Sequence, residues 1–170
     1  QTKLGIQVDM TVSSRAVMAV KEHRRIIIGR TGCGLCGVES LKQLYANLPI
    51  VNTSVSSIWL NQIPNAIAQL KVRQKISELT GGAHAAAWVV KGQIVALFED
   101  VGRHNALDKL LGYLAEQKLN VADGFVVMTS RASYELIRKC AQYNIGLLAT
   151  ISAPTSMAIE MAKQLNLTLA

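Results

Sequence analysis

Apolar residues follow two rhythms along this chain, and the switches between them mark its elements. In the second half, short runs that are apolar at nearly every position alternate with stretches in which apolar residues recur every three or four positions. The first pattern suits a buried strand and the second an amphipathic helix. AHAAAWVV and QIVALFE read as two strands joined by Lys91-Gly92, a pair suited to a tight hairpin turn. NALDKLLGYLAEQ reads as a helix, GFVVMTS as a buried strand and SYELIRKCAQYN as a helix. GLLATIS is a further strand, PTSMAIEMAKQL a further helix, and LTLA the start of a last strand.

The first half is less regular. LGIQVDMTV (4–12) alternates like a strand, and Ser13 and Ser14 can cap a helix through RAVMAVKEHRR. IIIG, which follows, fits either a short strand or the tail of that helix. Val38, Leu41, Leu44, Tyr45 and Leu48 share helical spacing, and Pro49 ends that helix. From Pro64 to Leu79, apolar residues at 67, 70, 76 and 79 predict one amphipathic helix, broken by TGG at 80–82. Strands alternating with helices predict a mostly parallel or mixed sheet covered on both faces, with the N-terminal strand and the hairpin as antiparallel members. The expected class is α/β, a three-layer α/β/α sandwich.

Composition agrees with one ordinary domain spanning residues 1–170. Half of the 170 residues are hydrophobic and 17% are charged, enough apolar material for a core without disulfides or metal. No apolar run reaches the length of a membrane span. The start, QTKLGIQVDM, lacks the basic and apolar regions of a signal peptide, and it lacks an initiator Met. The net charge of +7 favours an anionic partner. Aromatics make up only 5% and are not interleaved with basic runs, which argues against a base-stacking nucleic-acid platform. Three cysteines without a signal peptide point to a reducing, cytoplasmic setting. A homodimer is compatible with the sequence but not fixed by it.

The chemistry concentrates in two places. In GRTGCGLCGVES (29–40), Gly32, Gly34 and Gly37 spell the G-x-G-x-x-G of dinucleotide sites. Such a site needs an acidic residue about twenty positions on for the ribose. IVNTSVSSI (50–58) offers none. Cys33 and Cys36 in the same stretch spell C-x-x-C. Near a helix start, with Arg30 close in sequence, a thiol pKa falls and the thiolate becomes a nucleophile; the glycines leave its sulfur uncrowded. Structural zinc would need a second pair of ligands, whereas His23, His84, His104 and Cys140 stand isolated. A thioredoxin-like enzyme usually has a cis-Pro before a strand, and Pro49, Pro64 and Pro154 are not so placed. A zinc deaminase needs H-x-E with P-C-x-x-C, but here His84 is followed by Ala85-Ala86 and Gly32 precedes Cys33. Covalent sulfur carriage needs one reactive thiol on an accessible loop and no metal, which fits.

The second place is a set of strand-to-helix turns. FEDVGRHNALDKLLG gathers Asp100, Arg103, His104 and Asn105, TSRASYE offers Ser130 and Arg131, and TISAPTSMA offers Thr155. Parallel strands bring such turns to one edge of a sheet, and helix N-termini with Arg, Ser and Thr suit phosphate. A nucleotide-like anion is the expected ligand. His84, among alanines in TGGAHAAAW, reads equally well as a structural histidine or as one beside that ligand.

Taken together, GRTGCGLCGVESL, TGGAHAAAW, ALFEDVGRHNALDKLLG, TSRASYELIRKC and TISAPTSMAIEMAKQLNLTL resemble, in order, the motifs of the sulfurtransferase accessory proteins of formate dehydrogenase. The resemblance covers most of residues 22–169. It implies a cytidine deaminase-like sandwich. It implies that a cysteine desulfurase donates sulfur to Cys33 as a persulfide, with Cys36 assisting. It also implies that the sulfur passes to the molybdenum bis-guanine-dinucleotide cofactor before that cofactor enters formate dehydrogenase, with GDP as a mimic of the cofactor. The nucleotide would lie against Asp100, Arg103, His104, Asn105, Ser130 and Arg131. Members of the family usually carry more chain at both ends, including a short basic tail after the LTL segment, so truncation at both ends is expected.

Overall fold

The computed structural model describes residues 48–170, together with residues 11, 13–15 and 18. Ser14, Arg15 and Met18 are helical, in line with the helix expected after Ser13. The rest of that helix, nearly all of the strand over 4–12, the IIIG run and both cysteines of the C-x-x-C lie outside the described residues, as does nearly all of the helix before Pro49. The chain divides into two units, Gln1–Leu44 and Tyr45–Ala170, and the fold described is that of the second.

Helix α1 (Ser57–Arg73) opens on Ser56, whose hydroxyl accepts from the Ile58 N–H. It therefore begins well before Pro64, which was expected to open it. Pro64 removes one helical N–H, but it faces solvent, where water can take the freed carbonyl. Trp59, Ile63, Ala66, Ile67 and Leu70 share the opposite face and pack on the core. Burying a side chain such as Leu70 is worth about 1.5–3 kcal/mol, which offsets the proline. The single helix expected through Leu79 is in fact two. Gln74 has ψ 79° and ends α1, and α2 (Lys75–Thr80) follows on a new phase. Ile76 and Leu79, expected on the buried face, are consequently exposed.

The sheet contains β1 (His84–Val90), β2 (Gln93–Asp100), β3 (Gly124–Arg131), β4 (Leu147–Ser152) and β5 (Thr168–Leu169). Their order is β2-β1-β3-β4-β5. β2, β1 and β3 pair antiparallel, while β3, β4 and β5 pair parallel, so the sheet is mixed. Lys91 and Gly92 both take positive φ, 50° and 76°, as the tight hairpin turn requires. α3 (Arg103–Glu116) follows β2, α4 (Tyr134–Gln142) links β3 to β4, and α5 (Ser156–Gln164) links β4 to β5.

Burial explains the layers. Ala85, Ala87, Val89, Phe125, Val127, Leu147 and Ala149 point to the α1 face. The alternate residues Ala86, Trp88, Val126, Met128 and Leu148 are equally buried and need a second cover. α3 lies on β1 and β2, α4 touches both α3 and α5, and together they form that layer. The fold is the expected α/β sandwich. Cys140, Trp88 and, in part, Trp59 sit in the core. No helix among the described residues is long and apolar enough to cross a membrane.

Candidate functional site

Strand direction gathers the predicted turns. β1 and β2 place His84 opposite Asp100, and β1 and β3 pair Ala86 with Met128. The start of β1, the end of β2 and the ends of β3 and β4 therefore share one edge. α3, α4 and α5 all begin there, so three helix N-termini converge on it. The sequence called for such an edge, and the register builds it.

Arg103, His104 and Asn105 form the first turn of α3, after Gly102 as N-cap. Asp100 organises this corner. Its Oδ1 accepts from the Gly102 N–H at 2.9 Å and from Asn105 Nδ2 at 3.1 Å, while its Oδ2 accepts from Lys109 Nζ at 2.7 Å. These bonds, Lys109 first and Gly102 second, hold the carboxyl down to about 2. Asp100 and Asn105 thus shape the turn itself. His84 has its pKa lowered, first by burial and then by the nearby Arg103 guanidinium, so a neutral imidazole sits beside a fixed cation.

At the end of β3 the register slips. Met128 pairs with Thr150 and Arg131 with Ser152, three steps against two, which marks a β-bulge. Within it, Thr129 Oγ1 accepts from the Ala85 N–H at 2.9 Å, and Ser130 is buried, its hydroxyl donating to the Arg131 carbonyl at 3.2 Å. Arg131 is exposed at the rim. Thr155 caps α5 by accepting from the Ala158 N–H, and its own N–H donates to the Ala132 carbonyl at 3.1 Å, tying two turns together.

Three members of the corner were not singled out from the sequence. Glu135, in the first turn of α4, places Oε2 2.9 Å from His104 Nε2. Lys109 lies one turn beyond Asn105 and reaches the same carboxylate. Ser133, the N-cap residue of α4, is buried and does not cap its helix. The i, i+4 spacing of Asn105 and Lys109 was the one available signal; the others depend on contacts between α3, α4 and the bulge. Among the described residues, no group of three His, Cys, Asp or Glu is placed to hold a metal ion.

The model of the FdhD/NarQ family matches residues 2–170. The chain belongs to the FdhD/NarQ family. It is 59% identical over 170 residues to a sulfur carrier protein FdhD of Acinetobacter baylyi, covering all of this chain and 62% of that protein. It is 48% identical over 169 residues to the sulfur carrier protein FdhD of Chromobacterium violaceum, covering 98% of this chain and 63% of that one. The chain thus spans about three fifths of the length of these FdhD relatives. Among solved structures, it resembles a protein of Desulfotalea psychrophila assigned as a formate dehydrogenase accessory protein. That match has a TM-score of 0.65 and 25% identity, over 75% of this chain and 54% of the other.

Proposed function

We propose that this FdhD/NarQ chain is a sulfur carrier in formate dehydrogenase maturation, working in the cytoplasm. It would accept persulfide sulfur from a cysteine desulfurase on Cys33, with Cys36 assisting. The acceptor would be the molybdenum bis-guanine-dinucleotide cofactor, bound as substrate. The observation that carries this reading is the match along residues 2–170 to relatives named sulfur carriers, with the C-x-x-C inside it.

The loading step balances as an exchange. The Cys33 thiolate attacks the outer sulfur of the donor persulfide, a new S–S bond forms on Cys33, and the donor cysteine leaves as a thiolate. In the second step the acceptor centre supplies the electron pair for its new bond to sulfur, and Cys33 leaves as a thiolate. The strand-end edge supports the nucleotide part of the reading. Arg103 and Arg131 supply positive charge, three helix N-termini point the same way, and His84 is neutral, so it can accept as well as donate a hydrogen bond.

The test is mass spectrometry after incubation with desulfurase and cysteine. One sulfur should load on Cys33, and Cys33→Ala should abolish loading. Full loading of Cys33→Ala with loss in Cys36→Ala would overturn the assignment. For the nucleotide edge, calorimetry with GDP should give binding that Arg103→Ala weakens about tenfold or more; no heat with the unsubstituted protein would remove this edge from the reading.

A further inference from the structure

The starts of α3, α4 and α5 meet around Ser133. Its neighbour Ala132 accepts from the Thr155 N–H, where α5 begins, and Glu135, two residues on, places its carboxylate 2.9 Å from His104 in the first turn of α3. Ser133 is 2% exposed and has the extended backbone of an N-cap residue, φ −117° and ψ 161°. It does not behave like the other hydroxyls in that position. Ser56 caps α1 and Thr155 caps α5, each through its side-chain oxygen. No side chain caps α4, and the Ser133 Oγ is buried with no hydrogen-bond partner among the described residues. A buried hydroxyl without a partner costs stability, and a partner from outside the chain would remove that cost.

Resting on the nucleotide reading of this edge, we infer that Ser133 is a phosphate-binding residue: its hydroxyl donates to a phosphate oxygen of the nucleoside diphosphate at the start of α4. A serine on extended backbone has a staggered side-chain position that brings its oxygen to the first turn of the helix that follows. One rotation about Cα–Cβ therefore carries the Ser133 hydroxyl from its buried position to the mouth of α4, where the helix start favours an anion. At α5 the Thr155 oxygen already takes an N–H that an anion would use, and at α4 no side chain does. Arg103, at the start of the adjoining α3, adds positive charge. The one acid in the first turn of α4, Glu135, is engaged with His104.

The experiment combines calorimetry with GDP and with guanosine and phosphorus NMR of bound GDP, on the unsubstituted chain, Ser133→Ala and Ser133→Gly. Both substitutions remove the hydroxyl, and Gly also suits the N-cap backbone. Losing an unpartnered buried hydroxyl should leave the melting temperature of the ligand-free chain unchanged or raise it. GDP should bind both variants about tenfold more weakly, since a hydrogen bond to a charged group is lost. A phosphorus resonance of bound GDP should move with it. Guanosine, which carries no phosphate, should bind all three chains alike. Unchanged GDP affinity with unmoved phosphorus resonances would overturn the inference. Equal weakening of GDP and guanosine would do the same, because it marks a structural role. Pyrophosphate that displaces GDP at equal concentration would also sink it, by making this a site for free phosphate. No heat with GDP on the unsubstituted chain would instead bring down the nucleotide reading beneath it.

Discussion

At one end of the sheet, Val51, Asn52 and Thr53 are fastened to the turns that lead into β4 and β5. The Val51 N–H donates to the Leu165 carbonyl, Asn166 Nδ2 donates to the Val51 carbonyl, and the Asn52 N–H donates to Asn144 Oδ1. Thr53 Oγ1 donates to the Asn144 carbonyl at 2.6 Å. Asn144 and Asn166 both sit in the left-handed region, which Asn tolerates better than most residues. At the other end, side chains meet side chains: His104 with Glu135, Asp100 with Lys109 and Asn105. The first end uses its polar groups to pair backbone. The second collects charge on groups that remain partly open. Under the proposed nucleotide reading, this division suits one end that closes the fold and another that takes a ligand, since charged side chains can exchange partners where paired backbone cannot.

The largest break of this contrast should come from Gly124→Ala at the closed end. An added Cβ would lie 2.2 Å from the Val89 carbonyl oxygen and 3.0 Å from the Trp88 ring. Backbone cannot yield cheaply, so chemical denaturation should show a loss of about 3 kcal/mol. Asn144→Ala comes next. It forfeits the bond to the Asn52 N–H and puts Ala in the left-handed region, for about 1–2 kcal/mol by the same measurement. If either substitution instead weakened GDP binding while leaving stability intact, the two ends would not be separate in role.

Acid should sharpen the contrast at the open end. The Asp100 pKa is depressed in the folded chain, so its contribution is present above the ordinary carboxylate range and is lost as pH falls toward about 2. His84 is also depressed. The unfolded chain takes up its proton first, so its contribution, full above about 6.5, is lost as pH falls below that value. Melting temperature against pH should therefore drop in two stages, and His84→Gln should flatten the upper stage alone. The smallest effect belongs to Lys139→Ala, which breaks a pair with a half-exposed Asp108. Thermal melts should show a change of no more than about 0.5 kcal/mol.

Much of this was legible in one dimension. The hairpin at Lys91-Gly92, the strand–helix alternation after residue 120 and the gathering of Asp100, Arg103, Ser130 and Thr155 all follow from local patterns, because periodicity and turn chemistry act over a few residues. The C-x-x-C was also read locally, from Cys33, Cys36 and their glycines, as an expectation that lies outside the described residues. Three things could not be read that way. Ser56, not Pro64, opens α1, because burial of Trp59 and Ile63 outweighs a solvent-facing proline. Gln74 breaks the helix, so Ile76 and Leu79 face outward although their spacing says inward. Glu135 meets His104 across two helices, 31 positions apart in the chain. The sequence by itself determined the hairpin and the strand–helix alternation from residue 84 on, and the turns that converge on one edge. Only the tertiary structure decided which polar groups pair at that edge and which apolar residues stay uncovered, because both depend on neighbours that are distant in sequence and close only in space.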